Sequence, residues 1–238
     1  MANYLQTKAI VLSHRDLAEH DSLYTLFTEA RGKLEVRVRG ARKITSKLSP
    51  PLASIGIVRV LIYEGRSRPL LIGIETAERF TQIAAILWRS QVAARFLRLV
   101  ELATRPEARD LEIFSLLQEA LQMAEQAATE HISVLRDAFI IQLLSHAGYR
   151  PELDVCVQCR ATRVRAFSAG HGGVVCQNCI GEDVTAVALS GRELESLRAH
   201  ASVPLAASSI LPSADIGVFT QAMLRYRLET PLWFPVVI

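Results

Sequence analysis

Cys156-Val157-Gln158-Cys159 and Cys176-Gln177-Asn178-Cys179 hold every cysteine in the chain, and they are the residues best suited to chemistry. Two Cys-x-x-Cys pairs separated by 16 residues match the spacing of a four-cysteine zinc site. Each pair brings two sulfurs to one side of a tight knuckle, and two knuckles complete a tetrahedron around Zn²⁺. Gly170, Gly172 and Gly173 supply the turn that folds the second knuckle back beside the first. Four protein sulfurs leave no position for water, so such a centre is a staple rather than a catalyst. The competing readings are two strained local disulfides, a redox pair, which needs only one Cys-x-x-Cys, and cysteines without metal. Arg160 stands where a glycine would ease the first knuckle turn.

The second candidate is a run of cations. Arg31, Lys33, Arg37, Arg39, Arg42, Lys43 and Lys47 fall on one stretch with Glu35 as its only acid. A like-charged cluster repels itself, so a polyanion is its natural complement, and binding of that kind is steeply salt-dependent. The bland alternative is a solvated face. Tyr24 and Tyr63 are candidate stacking platforms, and each fits core or rim packing equally well. His14, Asp16, Glu19, His20 and Asp21 read as a solvated polar turn without catalytic spacing.

These residues need elements to position them. Thr7–Leu12, Leu23–Thr28, Leu34–Arg39, Gly56–Tyr63 and Leu70–Ile74 read as strands. In the third, Leu34, Val36 and Val38 fall on one face and Glu35, Arg37 and Arg39 on the other. Five short strands in about eighty residues predict a small antiparallel barrel of the OB type. From Thr81 the period becomes helical, with a break at Pro106, a second helix over Leu111–Ala128 and a third over Ile132–His146. Three such helices predict an antiparallel bundle with Trp88, Phe96, Phe114 and Phe139 in its core.

Ser190 and Glu193 form a capping-box signature opening a helix through His200. Pro204 and Pro212 bracket a loop, and Ser213–Leu228 reads as a last helix whose stripe of Phe219, Met223, Leu224 and Leu228 is first of all core packing, the alternative being that Arg225 and Arg227 beside it hold an acidic peptide. Arg160, Arg163 and Arg165 offset the charge of the thiolates, a phosphate contact being the lesser alternative. The apolar stretch Pro231–Pro235 either packs back or serves interaction.

The expected fold class is therefore α+β: an N-terminal OB-fold β-barrel, an α-helical domain and an inserted four-cysteine zinc module. The expected boundaries are 1–80 for the barrel, 81–152 for the helical domain, 153–185 for the zinc module and 186–238 for a C-terminal helical part. Residues 1–80 carry 13 Lys/Arg against 8 Asp/Glu, whereas the remainder carries 14 against 16, so the two parts face different partners. No run reaches the length of a membrane span, no signal peptide opens the chain, and reduced cysteines point to the cytoplasm. No phosphate loop, nucleophile elbow or zinc-hydrolase motif appears, so a non-enzymatic role is expected.

Ala9–Leu12, Asp21–Thr28, Gly32-Lys33, Arg39–Lys43 and Ser46–Leu48 follow one another in the first part of the chain, and Leu144–Leu153 runs into Cys156-x-x-Cys159, with Phe167-Ser168 and Gly172-Gly173 before Cys176. In these segments and their order the chain resembles the bacterial RecO family. The resemblance implies a DNA repair and recombination mediator, close to the nucleoid, that binds single- and double-stranded DNA and anneals complementary strands. It further implies assistance in loading recombinase onto strands coated by single-strand-binding protein. The implied partners are RecR, in some bacteria RecF, and the acidic tail of the single-strand-binding protein. The competing expectation is a zinc-containing protein–protein adaptor that does not touch DNA.

Overall fold

A computed structural model of the chain describes residues 3–17, 19–65, 67–181, 183–208 and 214–228. β1 (Asn3–Asp16), β2 (Ser22–Thr28), β3 (Gly32–Val38), β4 (Gly56–Glu64) and β5 (Leu70–Arg79) close into a barrel in the order β1-β2-β3-β5-β4, with β4 returning to β1. All pairings are antiparallel except the short β3–β5 seam at Arg37 and Leu70. This order, with the single turn of α1 (Ser49–Ala53) between β3 and β4, is that of an OB-type barrel. The alternation in β3 holds: Leu34, Val36 and Val38 are buried and Glu35 is exposed. They meet Ala9, Leu26, Val58, Val60, Ile62 and Leu71 inside the barrel. Each fully buried aliphatic side chain there contributes about 1.5–3 kcal/mol. β1 and β5 run several residues beyond their sequence-predicted ends, and bulges at Val11/Ser13 and Ile57/Val58 let these long strands curl.

The chain divides into two compact units, Met1–Gln126 and Ala127–Ile238. The first adds to the barrel α2 (Thr81–Ala85), α3 (Leu87–Ala103) and α4 (Leu111–Gln126). α3 packs against α4 and β1, and Phe114 on α4 lies 5.9 Å from Phe27 on β2, ring centre to ring centre. Glu125 near the end of α4 accepts the N–H groups of Gln82 and Ile83, both at 2.8 Å. A carboxylate thus satisfies the orphan donors at the start of α2. The expected bundle of three helices is corrected here. α3 and α4 belong with the barrel, because their apolar stripes face each other and the barrel wall. Trp88 is only half-buried, with the Arg89 guanidinium over its ring, so it is not a core residue.

The second unit is built on α5 (Ile132–Leu144), which is apolar almost all round. The helix ends in a wide turn, Ser145–Tyr149, where Gly148 takes φ +87°. β6 (Ala166–Ser168), β7 (Gly173–Val175) and β8 (Ala186–Ala188) form a small antiparallel sheet in the order β7-β6-β8. α6 (Gly191–Ser202) opens on the expected capping box: Glu193 accepts the Ser190 N–H at 2.7 Å and donates its own N–H to Ser190 Oγ at 3.3 Å. α7 (Leu205–Ser208) occupies part of the expected Pro204–Pro212 loop, and α8 (Gly217–Leu228) starts later than predicted. α6, α7 and α8 all pack on α5, and Phe167 meets Phe219 edge-on at 5.9 Å. The Pro231–Pro235 stretch lies outside the described residues.

Candidate nucleic-acid interface and metal centre

The seven cations of the β3 region do not form one free cluster. Arg31 bridges Glu64 at 2.5 Å and Glu107 at 2.7 Å. Lys33 donates to the carbonyls of Glu101 and Thr104, the partially negative end of α3, and burial pushes its ammonium pKa down. Arg37 gives Nε and Nη2 hydrogens to Asp21 at 2.9 and 2.6 Å. Arg42 pairs with Asp16 at 2.8 Å and also reaches the Glu19 carbonyl. Arg39, Lys43 and Lys47 are exposed and make no ion pair among the described residues.

Of the acids expected in a solvated turn, Asp16 and Glu19 are exposed, but Asp21 departs from that expectation. Asp21 is half-buried and accepts from Arg37 and from the Gly40 N–H at 2.8 Å. The Gly40 bond, then the Arg37 guanidinium, hold its carboxyl below the usual range against a smaller opposing effect of burial. Gly40 takes φ +63°, a left-handed conformation that suits glycine. The Arg42 N–H bonds the His20 carbonyl at 3.2 Å, Lys43 N–H bonds Gly40 at 3.1 Å, and the Ser49 hydroxyl closes onto the Ala41 carbonyl. The root of the 40–48 loop is therefore fastened to the β1–β2 turn, while Lys43 and Lys47 face water. Tyr24 is a barrel residue with His14 stacked on it at 5.1 Å, whereas Tyr63 is half-exposed beside Tyr4 at 5.6 Å.

The four cysteine sulfurs of the second unit lie within 4.8 Å of one another, and none is in a disulfide. Cys159 and Cys176 Sγ are 3.6 Å apart. A tetrahedral zinc with Zn–S bonds of about 2.3 Å needs sulfurs roughly 3.8 Å apart, so the residues fit the ion. The donor chemistry agrees. Burial opposes ionisation of Cys156, but the N–H groups of Cys159, Cys176 and Gln158 overcome it and bring the thiol to about 6. Cys179, beside the Cys159 and Cys176 sulfurs, is pushed up to about 12. Four sulfurs this close cannot all ionise without a cation among them, and a metal ion supplies that charge.

The knuckles are built locally. Arg160 N–H bonds the Cys156 carbonyl at 2.9 Å and Ile180 N–H the Cys176 carbonyl at 3.1 Å. Arg160 takes φ +64°, the position where a glycine would be easier, and its guanidinium reaches Glu152 at 3.2 Å. Gly172 at φ +79° makes the β6–β7 turn. Sequence reasoning missed the polar knot beside it: Asp183 accepts from the Ser168 and Thr185 hydroxyls and lies 3.0 Å from His171 Nδ1. The Ser168 and Thr185 bonds hold the Asp183 carboxyl far below its ordinary pKa.

The second unit also has a cavity of about 630 Å³ whose lining includes Arg136, Arg225, Tyr226, Val184 and Val218. Arg136 is bidentate with buried Asp137 at 2.9 and 3.0 Å, while Arg225 is exposed without an ion pair among the described residues. No helix among the described residues is long and apolar enough to cross a membrane.

Residues 1–80 match the family model for the N terminal of recombination protein O, and residues 87–233 match that for its C terminal. The chain is 31% identical over 232 residues to a DNA repair protein RecO of Roseiflexus sp. (strain RS-1), covering 94% of this chain and 81% of the relative. It is 30% identical over 181 residues to one of Alkaliphilus metalliredigens (strain QYMF), covering 75% and 73%.

Proposed function

From the premise that this chain belongs to the RecO family of DNA repair proteins, we propose that it binds single- and double-stranded DNA through the barrel tip formed by Arg39, Lys43 and Lys47. The observation that carries this reading is the division of labour among the cations. Arg31, Lys33, Arg37 and Arg42 are held by protein partners and fix the hairpin and loop, leaving three cations solvated on a fastened base. A polyanion relieves their mutual repulsion and releases counterions. By the same physics, a basic surface that holds two strands lowers the repulsion between them, which supports a role in annealing and in loading recombinase onto strands coated by single-strand-binding protein. Arg31, Lys33, Arg37 and Arg42 act in this proposal as supports for the contacting residues.

The proposed cofactor is a structural Zn²⁺ held by Cys156, Cys159, Cys176 and Cys179. Its four-sulfur shell leaves no position for substrate, in keeping with a mediator rather than an enzyme. For partners we propose RecR, RecF in some bacteria, and the acidic tail of the single-strand-binding protein. The α8 cavity suits that tail, since it joins apolar walls to the Arg225 guanidinium.

The test is the triple variant Arg39→Glu, Lys43→Glu, Lys47→Glu, with oligonucleotide affinity measured across a salt series. For single strands the slope of log affinity against log salt should fall by roughly 0.7 per lost phosphate contact, about 2 in all. An unchanged slope with the fold intact overturns the placement of the site.

A further inference from the structure

We infer that the zinc module carries a second phosphate-binding site, formed by Arg163, Arg165 and Gln177, that grips the backbone of a DNA strand. The three residues line one cleft of about 630 Å³ together with Ile180, Ala186 and Ala188. Its construction follows from the local chain. Val164 packs against the core around the cysteines, while Arg163 and Arg165 on either side of it are exposed and line the same cleft. The segment is fixed at both backbone groups of Arg165, whose N–H bonds Val175 at 2.9 Å and whose carbonyl accepts from Leu189 at 3.0 Å. On β8, Ala186 and Ala188 lie two residues apart and present only methyl groups, which keeps the floor of the cleft open. Gln177, inside the second knuckle, adds an amide donor at the wall.

The charge of the cleft is what points to the ligand. Both arginines are exposed, and neither makes an ion pair or hydrogen bond to a side chain among the described residues. Among the described residues of the module, Glu152 is engaged with Arg160, Asp154 with Arg198, and Asp183 with Ser168, Thr185 and His171. Two guanidinium forks in one cleft, with no carboxylate among its described lining residues, match phosphate oxygens in shape and in charge. Consecutive phosphodiesters of a strand satisfy both forks. This inference shares only its ligand class, DNA, with the proposal for the barrel tip, and the two sites lie in separate compact units.

The experiment uses the full-length, metal-loaded protein and a double variant, Arg163→Gln with Arg165→Gln. It measures single-strand affinity over a salt series, annealing of complementary oligonucleotides, bound zinc and Tm. The expected result is a salt slope smaller by about 1.4, for two lost phosphate contacts. Annealing should slow about tenfold, while bound zinc and Tm stay unchanged. Repeating the pair in the Arg39→Glu, Lys43→Glu, Lys47→Glu background separates the two sites. If the barrel reading fails, the triple variant alone changes nothing, yet the Gln pair still lowers the slope. An unchanged slope and annealing rate with zinc retained overturns the inference. Should the Gln pair lose zinc, Gln177→Glu decides, because it halves the positive charge of the cleft while keeping both arginines beside the thiolates. Weakened annealing in that variant supports a phosphate site, and wild-type annealing assigns the arginines to charge balance alone.

Discussion

Asp21 and Arg37 face each other across the β2–β3 hairpin at 2.6 Å, and the same carboxylate holds the Gly40 N–H at 2.8 Å. One acid thereby sets both the last turn of β3 and the start of the basic loop. Asp21→Asn should destabilise the protein at pH 7, and the loss should depend on pH. The folded carboxyl titrates below its ordinary value of 3.8, so its contribution is complete above that pH and vanishes as the pH falls through the lowered pKa. Urea midpoints of wild type and variant should therefore differ at pH 7 and converge as the pH falls through the lowered pKa of the carboxyl. Parallel curves across that range would remove Asp21 from this role.

Arg37→Glu should behave differently from a reversal at Lys43. A glutamate at 37 faces Asp21 across the hairpin, so the variant should lose stability as well as DNA affinity. Lys43→Glu should lose affinity alone, because its side chain is solvated. Thermal melts run beside binding curves separate the two.

Lys33 sits in the cation run but anchors β3 to the end of α3. Lys33→Met removes charged hydrogen bonds to two carbonyls and should cost about 1–3 kcal/mol in chemical denaturation. Its effect on the salt slope of DNA binding should be near zero, unlike that of Lys43.

Gly32→Ala tests the same junction through the backbone. Gly32 takes φ +69°, and a Cβ there would stand 1.9 Å from the Ala108 carbonyl oxygen. Relief requires the α3–α4 connection to move, so a loss of about 2 kcal/mol or more is expected from denaturant midpoints. A neutral variant would show that this connection yields without cost.

Cys156→Ser, or prolonged chelation, should lower the Tm of the second unit and release one zinc per chain. Affinity of the barrel tip for a short oligonucleotide should remain, since its residues lie in the other unit. Calorimetry with parallel metal analysis checks the first statement, and binding on the same sample checks the second.

Periodicity made the barrel legible. In Leu34–Arg39 every second residue is apolar, and a period of two has one structural solution when one face must be buried. The cysteine spacing was equally readable, because Cys-x-x-Cys constrains its two sulfurs within one local turn. The capping box of Ser190 and Glu193 is local in the same way. Helix partners were less legible. The stripes of α3, α4 and α5 look alike in sequence, and only packing assigned the first two to the barrel unit and the third to the unit that holds the four cysteines.

The sequence by itself determined the OB-type barrel, the four-sulfur centre and the concentration of cations near β3, because each follows from contacts within a few residues or from one repeating period. Tertiary structure alone decided which of those cations are free. Asp16, Asp21, Glu64 and Glu107 reach Arg42, Arg37 and Arg31 from 16 to 76 residues away, and ion pairs formed at that separation leave no periodic trace. Seven like charges on one stretch thus become four struts and three solvated cations, Arg39, Lys43 and Lys47, because folding brings acids to Arg31, Arg37 and Arg42 and the carbonyls at the end of α3 to Lys33.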